Sequence, residues 1–516
     1  MVVVLHRHDQ LDLDAYWQVV GGNEAVELDS TVLRHVDERR AAMERHLAGG
    51  ALAYGVNTGL GYFSNRIVAE QGRSTLQRSI LVGRAVGVGP PLSERVVRAT
   101  MLVRLVGFLG GYTGVSAALC SFLADRLNDR WYPVVPASRP GTAGETTPLC
   151  HLFQTLIGEG EVLIDGQRVP AGEALTARGV EPYRLGSKEG LALINGAPLA
   201  PALAADLFRR CTHALDHATM LGALTAAIID TSWRPYSMRI GRLKGDVGQQ
   251  HVHAQLQWLA HGAEPDAAAA ASSGGSQAPV SIRVLPQVHG AAGDVLDHLR
   301  RQVERELQAV TDSPLYLDAA DGEPEGFYPS GNFHAQALSL ALDSAAIAMT
   351  QVASLSEKRL HRLLDSRFSG LPDQLVARQG HGDSGLVSLH KAVVGLGAEN
   401  RMLSAPASVH SGDTSSGQED FQAFTMLAAD KLDRLLRNVE LALAHELVAL
   451  GQARRLAAMA DPAGADLPPR LASAIGAVMR ALPDVAADRS LASDVELALD
   501  LIDRGALVSD LGAHVR

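Results

Sequence analysis

Positive charge, cysteine and unbroken apolar runs are scarce in this sequence. Lys and Arg total 46 against 57 Asp and Glu, a net charge of −11, and nowhere do Lys and Arg gather into a block or tail. Nucleic acid and anionic membrane surfaces are therefore not expected partners. The three cysteines, Cys120, Cys150 and Cys211, lie far apart. That spacing excludes a disulfide framework or a cysteine-based metal cluster and points to a reducing compartment. No run of roughly 18 or more apolar residues occurs, so no transmembrane helix is expected. The opening MVVVLHRHDQ is too short and too charged for a secretory leader. Together these absences point to the cytoplasm. What remains is 516 residues, 47% apolar and 20% charged, the balance of a globular chain with a large core.

The patterning is mostly helical, in long Ala/Leu-rich segments. Met1–His6 reads as a short strand, and Leu28-Asp29-Ser30 as a cap ahead of a helix over Thr31–Leu47. Val162–Val169 reads as a hairpin turning at Asp165-Gly166. Residues 200–260 are helical with a break at Arg234-Pro235, and Gly262–Pro279 is low-complexity and reads as a flexible loop. Further long helices are expected over Ala291–Val310, from Leu338 to Leu364, and over 421–460. The chain divides on this reading into an N-terminal part carrying functional loops (1–200), a central helical bundle (201–460) and a tail of short, Pro-punctuated helices (461–516).

Two Gly-rich stretches stand out. Pro136–Gly160, PASRPGTAGETTPLCHLFQTLIGEG, begins as a small-residue loop and turns into an apolar helix through Pro148. A loop held just before a helix start offers unpaired N–H donors to electron-rich groups, although by itself it reads equally as a tight turn. Ala51–Asn65, ALAYGVNTGLGYFSN, sets Tyr54 among glycines. A phenol there is either a mobile catalytic element or an aromatic that the loop packs.

These two stretches resemble signature segments of the aromatic amino acid ammonia-lyase family, and five further motifs agree with it in order. They are Lys188-Glu189-Gly190-Leu191-Ala192-Leu193-Ile194-Asn195-Gly196, the run from Gln277 through Arg283 to Gly290, Ser330-Gly331-Asn332-Phe333-His334, Ala405–Val409 and Gly417-Gln418-Glu419-Asp420. The resemblance spans about Ala51 to Leu456. It implies a mainly α, long-helix bundle with a smaller mixed N-terminal part. It also implies a homotetramer whose sites are assembled from loops of three subunits, acting on a small-molecule substrate.

The resemblance assigns roles residue by residue. Tyr54 stands where the family has its base for the β-proton. Arg283 is the expected clamp for the substrate carboxylate, since a guanidinium gives bidentate bonds to it. Gln277 and Asn195 stand at substrate-contacting positions, Phe333 at the ring pocket, and Glu419 where an acid accepts a ring N–H. Arg84 replaces a histidine that sits near the ring, and Lys391 replaces an apolar residue. Read alone, Arg84 is equally a surface ion pair, Arg283 a structural one, and Lys391 a solvated lysine.

One departure matters most. The family loop carries an Ala-Ser-Gly triad that cyclises into 4-methylidene-imidazol-5-one (MIO), the electrophile that activates the amine. Here the triad is Thr142-Ala143-Gly144. Alanine has no hydroxyl to lose as water, so no MIO is expected, and the residues point to no other cofactor and no metal. A second tyrosine of the family pattern is Val280 here. A site that keeps base, clamp and ring acceptor but lacks amine activation suits a substrate whose amine needs none. A trimethylammonium betaine of an imidazole amino acid is such a substrate, as for ergothionase-type members that release trimethylamine. Ammonia release or amine migration on histidine or another aromatic amino acid is the alternative, and a non-catalytic metabolite-binding protein is a third.

Overall fold

In the computed structural model the described residues are 2–138, 141–261, 277–461 and 467–508. The fold is mainly α, with 61% of the described residues helical. The strands among the described residues form three small sheets. Val2–Leu5 pairs in parallel with Ala25–Leu28. Tyr132–Pro133, Glu161–Ile164 and Gln167–Pro170 form an antiparallel meander, and Leu315–Leu317 pairs with Gly326–Tyr328.

Local chemistry sets many of the ends. Asp29 caps Ser30–Ala48 by accepting the Thr31 N–H at 2.7 Å. The expected hairpin turns where Asp165 and Gly166 take φ of 51° and 77°, the left-handed pair a two-residue turn requires. Ser237, Asp246 and Ser116 cap three further helices in the same way. The expected helices of 200–260 appear as Leu199–Ile228, Met238–Lys244 and Val247–Leu259, with the break at Arg234–Tyr236. Those beyond appear as Leu285–Leu307, Gln336–Leu363 and Thr425–Ala460. The low-complexity loop falls mainly on 262–276, outside the described residues.

The chain forms two compact units that interleave in sequence. The first is Met1–Asp206, Arg300–Leu340 and Ala407–Ala429; the second is Leu207–Leu299, Ala341–Pro406 and Asp430–Arg516. The three sequence segments map onto them unevenly. Segment 1–200 lies wholly in the first unit and 461–516 in the second, but 201–460 is shared. Four of the five unit boundaries fall inside long helices, where no turn or composition change marks them in the sequence; the fifth, between Pro406 and Ala407, follows helix Val387–Leu403. Every described strand belongs to the first unit, five of them in the N-terminal 1–200 and two, Leu315–Leu317 and Gly326–Tyr328, beyond it.

Two stretches, Glu189–Ile228 and Gln336–Leu363, are long and apolar enough to cross a membrane by composition, contrary to the reading from unbroken apolar runs. Their most apolar windows are 78% and 67% buried within the fold, as expected of core helices.

The second unit has a charged pair at its centre. The Arg359 guanidinium donates to both carboxylate oxygens of Glu446, Nε–Oε1 2.7 Å and Nη2–Oε2 2.8 Å, and neither side chain is exposed. Ser356 Oγ adds a bond of 2.6 Å to the same carboxylate. A buried ion pair survives desolvation only with this bidentate geometry and extra donors.

Candidate functional site

The Gly-rich loops and the Glu419 loop meet in a cleft of about 520 Å³ within the first unit. Tyr54, Arg84, Ala143, Asn195, Phe333 and Glu419 all line it. With Gly144, seven residues expected at the site, from Tyr54 to Glu419, therefore share one concavity.

Each wall has its own cause. Tyr54 sits in a turn whose glycine, Gly55, has φ of 66°. The Gly61 N–H donates to its phenolic oxygen at 2.8 Å and fixes where that oxygen lies, while 38% of the residue stays exposed. Beneath the loop, the Gln77 amide holds it down by donating to Gly55 O at 2.9 Å and accepting the Leu191 N–H at 3.1 Å.

The central loop, Gly141–Gly144, rests on a buried carboxylate. Glu145 accepts the N–H groups of Leu199 and Ala200, both at 2.6 Å, and so closes the start of helix Leu199–Ile228. Burial pushes its carboxyl up to about 8, while those two N–H groups and the nearby Arg104 pull the other way. Gly196 is forced to be glycine, and Gly144 leaves little room for more. A Cβ on Gly144 would lie 3.1 Å from Gly196 O; one on Gly196, at φ 116°, would lie 2.6 Å from Thr311 Oγ1.

Behind Asn195 lies a charged layer. Asn195 donates its amide to Ser313 O, and Lys188 is paired with Asp312, both wholly buried. Arg104, also buried, feels Asp312 and Glu145 but leaves Nε and Nη2 without a partner. Burial lowers its guanidinium to about 10.

Glu419 closes the front. Its Oε2 accepts the Ala143 N–H at 2.9 Å, and its Oε1 accepts Ser415 Oγ at 2.9 Å. Thr142 Oγ1 donates to Gly144 O at 2.5 Å. The residues at 142–144 do not fit an MIO group: position 143 has no β-hydroxyl to eliminate, and its N–H is engaged by Glu419.

The remaining expected site residues lie elsewhere. Gln277, Arg283 and Lys391 belong to the second unit and do not line this cleft. Gln277 and Lys391 are exposed; Arg283 is half-buried and donates Nε to Ala278 O at 2.8 Å. Val280 is 60% exposed. Sequence reasoning passed over Tyr62, Phe63, Ser415 and Gln418, which also line the cleft, and Glu145 behind it. Ser415 had a readable signal, four residues ahead of Glu419 in a Gly/Ser turn; Glu145 had none, since both its partners lie more than 50 positions away.

A helical fold with these loops converging on one cleft, together with the family match, makes this a carbon–nitrogen lyase. Residues 11–480 match the aromatic amino acid lyase family, and the chain belongs to that family. It is 34% identical over 502 residues to the histidine ammonia-lyase of Myxococcus xanthus, covering 97% of each chain. Among solved structures it superposes on tyrosine aminomutase from Streptomyces globisporus with a TM-score of 0.92 at 29% identity, covering 99% of each chain. Ergothionase from Treponema denticola shares the fold at a TM-score of 0.90, covering 99% of this chain and all of that one, but at 23% identity the likeness is of fold alone.

Proposed function

We propose that this lyase works without MIO and eliminates a tertiary amine from the betaine of an imidazole-type amino acid, trimethylamine from ergothioneine or hercynine being the model reaction. The observation that carries the reading is Ala143 in a wall of the cleft that still presents Tyr54, Arg84 and Glu419. Ammonium is a poor leaving group beside a weakly acidic C–H bond, and MIO exists to improve it. A trimethylammonium group already carries a full positive charge and has no N–H for an electrophile to attack.

The step balances without a cofactor. Tyr54 acts as the base and takes the β-proton, the Cβ–H pair becomes the Cα–Cβ double bond, and the C–N pair leaves with nitrogen as neutral trimethylamine. Glu419 holds a ring N–H, and Asn195 and Phe333 position carboxylate and ring. Arg84 offers a planar cationic donor to a ring substituent such as a thione sulfur, which draws charge from the β-carbon. Gln277, Arg283 and Lys391 reach the site from other copies in a homotetramer on this reading, Arg283 clamping the carboxylate. The enzyme acts in the cytoplasm, where its three buried cysteines remain thiols.

Ammonia release from histidine is the second reading, favoured by the higher identity to histidine ammonia-lyases. One incubation separates them. Ergothioneine, hercynine and histidine are supplied in parallel, with trimethylamine, ammonia and the ultraviolet band of a conjugated acrylate read independently. The proposal requires trimethylamine and a new band with a betaine. Ammonia from histidine alone replaces it with the second reading, and tight binding with no band in any arm leaves a metabolite-binding protein.

A further inference from the structure

The second unit brings together three side chains that the elimination chemistry does not use. Glu357 and His361 stand four residues apart on helix Gln336–Leu363 and so share one face. His390 comes from helix Val387–Leu403. Its Nε2 lies 2.9 Å from Glu357 Oε1, and its ring stacks on that of His361, centroids 4.4 Å apart and planes 17° from parallel. One ligand atom from each of the three lies within 4.8 Å of the other two.

We propose that Glu357, His361 and His390 form a divalent-cation site for a borderline metal of the zinc class, with two imidazoles and one carboxylate as ligands. Two nitrogens and a carboxylate oxygen suit zinc or cobalt better than magnesium or calcium, which take oxygen. With metal–ligand distances of about 2.0–2.2 Å, tetrahedral ligands sit roughly 3.3–3.6 Å apart. The present separations reach that with a side-chain rotation. His361 is exposed and free to turn its ring edge inward, whereas Glu357 is buried and anchors the set.

The surroundings give the carboxylate its role. Lys358 Nζ holds Glu357 Oε2 at 2.7 Å, leaving Oε1 as the single ligand oxygen. The Lys358 side chain is 53% exposed, so its ammonium can withdraw to water when a cation arrives. Glu357 and Lys358 also line a cleft of about 100 Å³ running to Asn400 and Arg401, whose lining does not include the two histidines. Three protein ligands would leave one of zinc's four positions to solvent, the arrangement of an exchangeable site rather than a closed structural one. Cysteine does not compete for the metal, since Cys120, Cys150 and Cys211 are all buried.

The test uses tag-free full-length protein, stripped with a chelator and reloaded with zinc or cobalt, both alone. One zinc per chain is expected to survive desalting, measured by elemental analysis. Cobalt should give the intense visible bands of a low-coordinate nitrogen site, and zinc should raise the melting temperature. H361A, H390Q and E357Q should each weaken zinc at least about tenfold and abolish the cobalt bands. H213A, at the other His pair of this unit, should change neither. Zinc that washes out of the wild type, cobalt showing only the pale octahedral spectrum, or zinc retained by the H361A/H390Q double variant would each overturn the inference. The wild-type cobalt spectrum decides the question even where a variant fails to fold.

Discussion

Glu419 Oε2 and the backbone N–H of Ala143 are joined by a 2.9 Å hydrogen bond across 276 positions of sequence. The residue expected to read the substrate ring therefore also fixes the loop in which the family builds its electrophile. A carboxylate has lone pairs for both tasks, and Ser415 at 2.9 Å holds its second oxygen in place.

That double role gives the first prediction. E419Q keeps the side-chain shape but removes the charge and turns one acceptor into a donor, which then faces either Ala143 N–H or Ser415. Elimination kcat/KM should fall on the order of 10²-fold, consistent with losing a charged hydrogen bond of about 1.5–3 kcal/mol. S415A, which only releases the carboxylate, should cost about tenfold or less. Equal losses in the two variants would remove Glu419 from direct substrate contact.

Tyr54 should act in the chemical step and not in binding. Y54F keeps the ring that packs the loop and deletes the oxygen held by Gly61. Its kcat should drop by roughly 10²–10⁴-fold, with the dissociation constant for the betaine, read by calorimetry, within a few-fold of wild type. A raised dissociation constant with kcat preserved would assign the phenol to binding.

The mass of the chain itself tests the fate of the central loop. With Ala143 in place, the intact protein should weigh what its unmodified sequence requires, near 54.6 kDa. It should also keep its activity after treatment with borohydride, which reduces electrophilic alkenes. Loss of water from the peptide spanning Gly141–Gly144 would sink the MIO-free reading.

The core of the second unit should be acid-sensitive through His217. That imidazole is buried, its Nδ1 bonds His213 O at 2.8 Å, and burial lowers it from 6.5 to about 4. The unfolded chain binds this proton more tightly. Its stabilising effect is therefore complete above about 6.5 and is lost as pH falls toward 4, to the extent of about 3 kcal/mol. Glu145, raised to about 8, contributes with the opposite slope, so the effect must be read as a difference. The unfolding free energy of wild type minus that of H217N should shrink by that amount between pH 7 and pH 4 in urea titrations. A constant difference would show that His217 does not titrate on unfolding.

Local chemistry was legible without coordinates. The Asp29 cap, the Asp165-Gly166 turn and the break at Arg234-Pro235 depend on residues a few positions apart, and each appears where its sequence signal stands. The same holds for the family, carried by short motifs in order, and for the missing hydroxyl at Ala143, which is a matter of composition at one position. Of the residue types expected at the site, seven line one cleft.

What only the tertiary structure decided is which distant groups meet. Glu145 closing the Leu199–Ile228 helix, Lys188 paired with Asp312, and His390 meeting the Glu357–His361 pair left no local pattern to find in the sequence alone. The division into two interleaved units was largely hidden, because four of its five boundaries run through helices whose own periodicity continues unbroken. Propensity, capping and turn geometry act over a few residues and are written in the chain. The burial of a carboxylate against one particular helix start follows from how the whole fold excludes water, and no segment carries that information by itself.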